Sequence, residues 1–563
     1  MPINTAISLG YHHVYGDPAC VDRLSLVKDI PTKMALEMVC HFTAQFHTFE
    51  TDSLKQLEIL GNWLERLPEA VVGIVEDQIT TFFAQGFTEI NFFNNVSSLY
   101  VVEFLLANHN SLPPTTLLSA TQEENFFKLY LHFSSQWTTE QDAFYEKNKY
   151  LPKTNWILPL MLPYAELFEF KDFRLQFIKA IYFFRGCENH AEFQGYLQTF
   201  LQTLQIPTWQ EYLVRLITIY IGSLDKLTNK TLIQFKTEDL DVFNSIQYFF
   251  IALAQFEAKK DFLEIREKPL YQYSDDEVLV LSNNFFIDKI YQGVVFDFAT
   301  TLIKAKEQYN GKPIGSIKNF LGIFGDVFVE QNLFYAVLRS TFSRDGYVHF
   351  TGVDLKNQLG DGCPDYLIID KHKIYVFEFK NAVFSAASKY SYNQQTIFAE
   401  LTAKFVQDPS PKAKPKGVGQ LVNFLDDALR GRYRPLLGEN TSAYTFYPLL
   451  VTTDFSFNLP TINNFLNSEF TRLLREKALI HKLQIQPVVQ IDLDTLIKFQ
   501  DLFKTMRLTL HDELDQYQEF LDRQVDEIDK MASFHKFIHF KTHTWKYDTP
   551  EIFFTEIKPL IDE

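Results

Sequence analysis

The tetrapeptide Phe-Glu-Phe-Lys occurs twice in this chain, at residues 168–171 and 377–380. In a β-strand, a glutamate two residues before a lysine puts both side chains on one face. The carboxylate can then hold a divalent cation, and the lysine can orient the water that attacks a phosphodiester. The shorter pattern Glu-x-Lys also occurs at 257–259 and 556–558, so further residues are needed before it indicates a site.

The second copy is preceded by an acid at a matching position. If the chain turns at Lys371-His372, antiparallel pairing puts Asp365 directly opposite Glu378. Paired side chains have Cβ atoms about 4.5–5.5 Å apart, close enough to share one cation. Lys380 follows on the same face, whereas a one-residue slip in register would separate the two acids. The alternative is an ordinary salt bridge at the strand ends.

The first copy lacks this arrangement. Trp156, not an acid, stands at the corresponding position before Glu169, and Pro159 and Pro163 disfavour a central strand. The flanking residues have helical spacing. We therefore predict that this copy is a helical surface segment with Glu169 and Lys171 facing solvent.

The elements around the second copy predict a sheet that is covered on both sides. Tyr375, Phe377 and Phe379 alternate with Ile374 and Val376, which is typical of a strand buried on both faces. The predicted helices are 317–341 and 418–430, and the predicted strands are 347–355, 364–370, 374–380, 445–454 and 483–493. This order predicts an α/β domain with a mixed central sheet flanked by helices.

The length of 563 residues predicts several domains, since domains cluster near about 100–150 residues. From residue 34 to 310, apolar residues recur at steps of three and four without a fixed-period repeat. We predict an α-helical domain at 1–310 with a regulatory, sensing or oligomerisation role. The α/β domain follows at 311–508, and a C-terminal helical extension occupies 509–563.

The charge of the chain limits how it can bind nucleic acid. A net charge of −17 argues against a general nucleic-acid coat but permits a local basic patch. Residues 371–416 contain eight lysines and three acids, a net charge of +5, and three arginines follow within 430–434. This region suits phosphate contacts. The alternative is a solvated lysine-rich loop at 411–417.

Cysteine usage and hydropathy point to the cytoplasm. The four cysteines form no Cys-x-x-Cys pair, which argues against a disulfide framework and a zinc site. The N-terminal residues lack the pattern of a signal peptide. The longest apolar run, residues 248–256, is too short to span a bilayer. We expect a cytoplasmic protein without a membrane partner.

The segment GDGCPDYLIIDKHKIYVFEFK, residues 360–380, resembles the PD-(D/E)XK nuclease superfamily, which has the restriction-endonuclease-like fold. Pro364-Asp365 matches the first acidic motif, and Glu378-Phe379-Lys380 matches the second. The predicted order of helix, three strands, helix and strand also matches the family core. The resemblance covers about residues 311–500 and implies a metal-dependent nuclease.

The resemblance assigns roles to the motif residues. Asp365 and Glu378 would bind Mg²⁺ or Mn²⁺ together with the backbone carbonyl of Phe379. Lys380 would orient or deprotonate the attacking water and offset developing negative charge.

The resemblance also implies two accessory residues. Glu330 lies on the helix before the first strand, between Val327 and Phe334 in an otherwise apolar stripe. It would bind a second metal or a metal-bound water, with Asp326 as a weaker candidate; the alternative is a rim residue that reaches solvent. Gln420, in a Gln-Leu pattern on the next helix, would position substrate or water.

The chain departs from the family pattern between residues 381 and 416, where an insertion separates Glu-x-Lys from the following helix. We predict an extra helix beside the site. The aromatic residues at 388–398 either stack on a base or pack against the protein.

A helical region fused to such a nuclease resembles bacterial anti-phage defence effectors. This similarity implies that the helical domain restrains the site by gating, through a homo-oligomer or through a protein partner. The expected substrate is DNA. Two alternatives stay open: a helical interaction scaffold with an inactive nuclease-like domain that binds nucleic acid, and a nuclease for RNA or transfer RNA.

Overall fold

The computed structural model describes residues 6–18, 21–49, 53–168, 171–224, 232–236, 240–410, 413–545, 547 and 549–562. The chain forms two compact units. The first contains Met1–Glu146, Leu167–Gln176 and Gly195–Glu307, and the second contains Lys147–Glu166, Phe177–Gln194 and Gln308–Glu563. The main boundary therefore lies close to the expected one at residue 310. Two earlier segments and the C-terminal extension belong to the second unit.

The first 307 residues are mainly helical, as predicted. Their helices are α1 (Tyr11–Tyr15), α2 (Arg23–Val27), α3 (Thr32–Phe49), α4 (Ser53–Leu64), α5 (Glu69–Ala84), α6 (Asn95–Ala107), α7 (Ala120–Asn148), α8 (Lys153–Met161), α9 (Ala165–Phe168), α10 (Phe173–Asn189), α11 (Ala191–Leu204), α12 (Trp209–Ser223), α13 (Leu240–Ser245), α14 (Leu263–Glu267), α15 (Asn283–Asp288) and α16 (Gln292–Ala305).

Short strands accompany these helices. β1 (Ala6–Ser8) pairs in parallel with β2 (Glu89–Asn91), and β3 (Leu232–Gln234), β4 (Leu270–Gln272) and β5 (Glu277–Val280) form a three-stranded antiparallel sheet. In the first unit, the fully buried indole of Trp63 contacts the rings of Phe42, Phe127 and Tyr130. The phenylalanine-rich composition thus builds a packed aromatic core.

The second unit contains a larger sheet. The strands are β6 (Gln308–Tyr309), β7 (Lys312–Pro313), β8 (Tyr347–Thr351), β9 (Tyr366–Asp370), β10 (Lys373–Lys380), β11 (Thr445–Thr452), β12 (Gln484–Ile485) and β13 (Val489–Asp492). The helices are α17 (Ile317–Phe324), a π-helical stretch (Gly325–Phe334), α18 (Tyr335–Thr341), α19 (Gly352–Leu359), α20 (Ala386–Lys389), α21 (Gln394–Phe405), α22 (Val418–Leu429), α23 (Arg434–Leu437), α24 (Ile462–Glu476), α25 (Leu493–Lys498), α26 (Gln500–Lys504), α27 (Leu510–Arg523), α28 (Phe534–Thr542) and α29 (Glu551–Asp562).

The central sheet has the strand order β12-β11-β10-β9-β8, and β13 also pairs with β11. Strands β8, β9 and β10 are antiparallel to their neighbours in that group. Strand β11 is parallel to β10, β12 and β13. The sheet is therefore mixed, which confirms the prediction from the order of elements.

Both faces of β10 are buried. Ile374 and Val376 belong to an apolar cluster with residues of α21, α22 and α24. On the other face, the rings of Phe379 and Phe377 lie 4.7 Å and 6.4 Å from the ring of Phe334. The alternation in the sequence thus identified a central strand correctly.

Two predicted strands differ from the structure. Thr351 ends β8 early because Thr351 and Asp354 form reciprocal side-chain to backbone hydrogen bonds of 2.9 and 3.1 Å that start α19. The predicted strand 347–355 therefore runs into a helix. The predicted strand 483–493 is two strands, since Pro487 between them has no N–H for the ladder.

One helical stretch, Ile317–Thr341, is long and apolar enough to cross a membrane by length and composition. Polar residues such as Asp326 and Glu330 interrupt its sequence, so it was not found as an uninterrupted apolar run. Phe334 within it is fully buried against the sheet. The core helix of a soluble protein passes the same criterion, so this helix is weak evidence for a span.

The first Phe-Glu-Phe-Lys copy begins at Phe168, the last residue of α9. Glu169 lies outside the described residues, so its predicted exposure is untested. The prediction of solvent exposure is wrong for Lys171, whose ammonium is 2.5 Å from Oδ1 of Asp288 with the side chain only 16% exposed. Its backbone N–H also donates to Asn284. An acid from α15 thus pairs with this lysine in the interior, a long-range contact that local spacing does not show.

Candidate active site

The hairpin β9–β10 has the register that the sequence predicted. Asp370 pairs with Lys373 across the turn, and the ladder continues to Tyr366 opposite Phe377. Lys371 in the turn adopts a left-handed conformation with φ 54°. Asp365 lies one residue beyond the last ladder pair, so it is next to Glu378 without being part of the strand. The register therefore brings the two predicted metal ligands to the same end of the hairpin.

Asp365 is fixed by hydrogen bonds that its side chain and its backbone carbonyl accept from backbone N–H groups. Its Oδ2 accepts from the N–H of Phe379 at 2.7 Å, and its carbonyl accepts from the N–H of Gly352 at 2.7 Å. The first bond ties the carboxylate to the residue between Glu378 and Lys380. The second ties the backbone of Asp365 to the first residue of α19.

Glu378 and Lys380 form a tight ion pair at the end of β10. The ammonium of Lys380 lies 2.6 Å from Oε1 of Glu378 and 4.0 Å from Oδ2 of Asp365. Glu378 is 0% exposed. Its Oε2 is buried and has no hydrogen-bond partner among the residues that the structure describes. A buried carboxylate oxygen without a partner is costly unless a cation or proton occupies it.

Burial and charge shift the protonation of this pair. Burial, and then the charge of Asp365, raise the pKa of Glu378 to about 8, although Lys380 opposes them. Burial disfavours the charged form of Lys380, but the charges of Glu378 and Asp365 outweigh it and raise the pKa of Lys380. Glu378 therefore holds a proton more readily than an exposed carboxyl does, beside a charged Lys380. A divalent cation would displace that proton.

The residues present fit a small divalent site built from two carboxylates. Among the described residues, no group of three or more His, Cys, Asp and Glu side chains is spaced to hold a metal ion. Mg²⁺ is often held by one or two carboxylates, with water and substrate phosphate completing its shell. Asp365 and the unpartnered oxygen of Glu378 match that requirement, and the carbonyl of Phe379 lies between Glu378 and Lys380 in the chain.

Glu330 is near this cluster but is held differently from the prediction. Its charge adds a smaller increase to the pKa of Glu378, after burial and Asp365. Its Oε1 accepts from the hydroxyl of Tyr335 at 2.8 Å. In an α-helix, Phe334 would lie next to Glu330, but this stretch is π-helical. The side chain of Asp326 lies outside what the structure describes.

Gln420 has a contact that the sequence did not indicate. It is the third residue of α22, and its Oε1 accepts from the N–H of Gly417 at 3.0 Å. This contact satisfies a donor at the start of the helix. Its predicted role in positioning substrate or water stays a prediction.

The predicted basic patch is largely neutralised by partners. The ion pairs are Lys389–Glu166, Lys404–Glu400, Lys416–Asp408, Arg430–Asp426, Arg432–Asp427 and Arg434–Glu439. The count of +5 over residues 371–416 did not include Glu166, the partner of Lys389, and the three arginines that follow are each paired with an acid outside that window. Lys373 is at the opposite end of β10 from Lys380, roughly 23 Å away along the strand. Lys412 lies outside the described residues.

The inserted segment forms the predicted extra helix, α21. Its residues Ile397, Leu401 and Phe405 are buried in the apolar cluster of the sheet. Tyr392, before this helix, is 36% exposed, and its hydroxyl lies 3.4 Å from that of Tyr164. The described aromatic residues of the insertion therefore mainly pack against protein.

A row of polar side chains next to Lys380 was missed in the sequence. Lys380 pairs with Thr452 on β11, and Thr452 pairs with Asp492 on β13, so all three share a sheet face. The Nε2 of Gln490 donates to Thr452 Oγ1 at 2.9 Å. Polar residues at every second position near the ends of apolar strands were the available signal.

No family model matches this chain, and neither the curated proteins nor the solved structures that were compared contain a match.

Proposed function

We propose that the second unit is a metal-dependent nuclease of the PD-(D/E)XK type with a restriction-endonuclease-like core. One observation carries the proposal: Glu378 is fully buried with one oxygen unpartnered among the described residues, while Lys380 lies against both Glu378 and Asp365. Buried acids and lysines with perturbed pKa values are characteristic of catalytic sites. The order of helix, three strands, helix and strand also supports this fold family.

Each residue of the cluster has a role in phosphodiester hydrolysis. Asp365 and Glu378 would hold Mg²⁺ or Mn²⁺, with the carbonyl of Phe379 as a further oxygen ligand. When bound, such a cation acidifies a water and stabilises charge on phosphoryl oxygens. Lys380 orients the attacking water and offsets negative charge that develops on the phosphate. Gln420 would use its amide nitrogen to position substrate or water.

Nucleic acid is the proposed substrate, with DNA preferred over RNA. The net charge of −17 and the paired arginines do not favour long tracts of phosphate contacts. Recognition would therefore concentrate at Lys380 and the bound cation, over a short stretch of backbone. The helical first unit would restrain the site, by gating or by assembly, in a cytoplasmic anti-phage role.

A cleavage assay with matched variants tests this function. Wild type would be incubated with Mg²⁺ or Mn²⁺ and plasmid, single-stranded DNA, RNA or transfer RNA. We expect cleavage that chelation abolishes and that Glu378→Gln and Asp365→Asn reduce at least about 100-fold. Glu257→Gln, in an exposed Glu-x-Lys elsewhere, is the control and retains activity. Full activity in Glu378→Gln would reject the assignment.

A nucleic-acid-binding scaffold without catalysis is the second candidate. It is favoured by the lack, among described residues, of a three-residue metal group. This candidate predicts binding of nucleic acid that is unchanged by chelation, by Glu378→Gln and by Mg²⁺, with no cleavage of any substrate.

A further inference from the structure

The helix that carries Glu330 is wound unusually over ten residues. Between α17 and α18, Gly325–Phe334 is π-helical, and the N–H of Tyr335 donates to the carbonyl of Glu330, five residues earlier. In an α-helix, residues five apart point about 140° away from each other around the axis. The wider winding that a hydrogen bond between residues i and i+5 closes reduces this separation. It therefore brings Glu330 and Tyr335 closer to the same side of the helix.

The side chains of these two residues are joined as a result. The hydroxyl of Tyr335 donates to Oε1 of Glu330 at 2.8 Å, and Tyr335 is only 6% exposed. Regular α-helical winding would put Phe334, which has no hydroxyl, nearest to Glu330. The hydrogen bond thus depends on the π-helical stretch. Such stretches are rare and often lie at functional sites.

The same hydroxyl is close to the backbone of Asp365. A Cβ on Gly352 would lie 3.1 Å from the hydroxyl oxygen of Tyr335 and 3.1 Å from the carbonyl oxygen of Asp365. The N–H of Gly352 donates to that carbonyl at 2.7 Å. Gly352 therefore lets the phenol of Tyr335 approach the residue that carries the first metal ligand.

Aromatic packing fixes the helix against the hairpin at this point. Phe334 stacks on Phe379 with centroids 4.7 Å apart and an interplanar angle of 20°. Tyr335 packs on Tyr366 with centroids 5.5 Å apart. Phe379 and Tyr366 directly adjoin the candidate ligands Glu378 and Asp365 in the chain. The π-helical stretch is thus held on both strands that carry the site.

We propose that Tyr335 is a positioning residue that holds Glu330 against the Asp365, Glu378 and Lys380 cluster, and that the π-helical winding serves this hydrogen bond. The inference rests on the proposed metal-dependent nuclease and adds a residue to its site. Tyr335 acts through Glu330, which would orient a metal-bound water or a second cation. Residues that orient metal ligands and waters typically contribute 10- to 100-fold to affinity or activity.

The test is a double-mutant cycle of Tyr335→Phe and Glu330→Gln in the full chain. The readouts are Mn²⁺ affinity by titration calorimetry, kcat and KM for cleavage, and the midpoint of urea unfolding without metal. Tyr517→Phe is the matched control, because Tyr517 is fully buried on α27 and its hydroxyl donates instead to the carbonyl of Ala532 at 2.6 Å. It reports the cost of removing a buried phenol hydroxyl.

We expect Tyr335→Phe to lower Mn²⁺ affinity or kcat about 10-fold or more with KM little changed, and Tyr517→Phe to leave both near wild type. The double variant should be no worse than Glu330→Gln alone, because both changes remove the same function. Additive losses, or equal effects of Tyr335→Phe and Tyr517→Phe, would overturn the role of Tyr335. If wild type neither binds Mn²⁺ nor cuts any substrate, the proposed function itself fails, and this inference with it.

Discussion

Lys380 donates to one oxygen of Glu378 at 2.6 Å, while the other oxygen of that carboxylate is buried without a partner among the described residues. The pair is therefore half-satisfied at 0% exposure of Glu378. An arrangement of this kind costs stability, and proteins commonly retain such a cost at functional sites. This relationship, and the elements that hold it in place, determine how the site responds to substitution.

Glu378→Gln should stabilise the protein while abolishing cleavage. The neutral amide can accept from Lys380 without the cost of burying a charge. We expect a higher unfolding midpoint in chelator, with activity at least about 100-fold lower. Thermal unfolding and plasmid cleavage measure the two effects. A variant that is both less stable and fully active would contradict the account of this residue.

The stability of wild type relative to Glu378→Gln should fall as the pH rises. The pKa of Glu378 in the folded protein is about 8, above the ordinary value near 4.3 in an unfolded chain. Between these values the folded state binds a proton that the unfolded state has released, so unfolding becomes easier with increasing pH. Urea unfolding from pH 5 to 8.5 should show the gap between the variants widening by roughly 2–4 kcal/mol. A constant gap would show that the Glu378 carboxyl titrates normally.

Lys380→Met should remove activity, while Lys380→Arg should retain part of it. Methionine matches the length of the side chain but cannot orient water or offset phosphate charge. We expect a loss of at least about 100-fold in kcat for the methionine variant. Lys404→Met removes a lysine paired with Glu400 on α21 and serves as the control. Equal activities of Lys380→Met and Lys404→Met would exclude a catalytic role for Lys380.

Gln420→Glu should separate helix capping from substrate contact. A glutamate keeps the oxygen that accepts from Gly417 but loses the amide nitrogen. We expect near-normal stability and a 10- to 100-fold loss of cleavage, whereas Gln420→Ala should lose both. Circular dichroism melts and initial cleavage rates give the comparison. Normal cleavage by Gln420→Glu would leave Gln420 with the capping role alone.

Gly186→Ala should disturb the π-helical stretch from outside the site. A Cβ at Gly186 on α10 would overlap the ring of Phe328, which lies within Gly325–Phe334. We expect destabilisation of about 1–3 kcal/mol and weaker Mn²⁺ binding. Gly195→Ala on α11 is the control, since nothing lies within 4 Å of its added Cβ and alanine favours a helix. Destabilisation of the control by the same amount would remove the steric explanation.

The sequence predicted the hairpin well because the residues that determine it are close together in the chain. A two-residue turn and strict alternation determine the register, so Asp365 and Glu378 could be placed at one end of it. The mixed sheet was predicted from the order of helices and strands, which can also be read directly along the chain. Thr351 and Asp354, in contrast, start a helix through side-chain hydrogen bonds that apolar spacing does not reveal.

The surroundings of the site depend on contacts that are distant in the chain. The partner of Lys389 is Glu166, which no charge count over residues 371–416 could include. The residues that adjoin Glu330 on the π-helical stretch and after it likewise pack on Phe379 and Tyr366, which are distant in the chain. Residues four apart are neighbours on an α-helix, so the spacing predicted Phe334, and not Tyr335, next to Glu330.

Crystals of the protein soaked in Mn²⁺ would test the central claim most directly through anomalous diffraction. We predict a peak about 2.1 Å from carboxylate oxygens of Asp365 and Glu378, with Lys380 no longer bonded to Glu378. The peak should vanish in Glu378→Gln. A map at saturating Mn²⁺ without a peak at these carboxylates, and with the bond between Lys380 and Glu378 intact, would contradict the account.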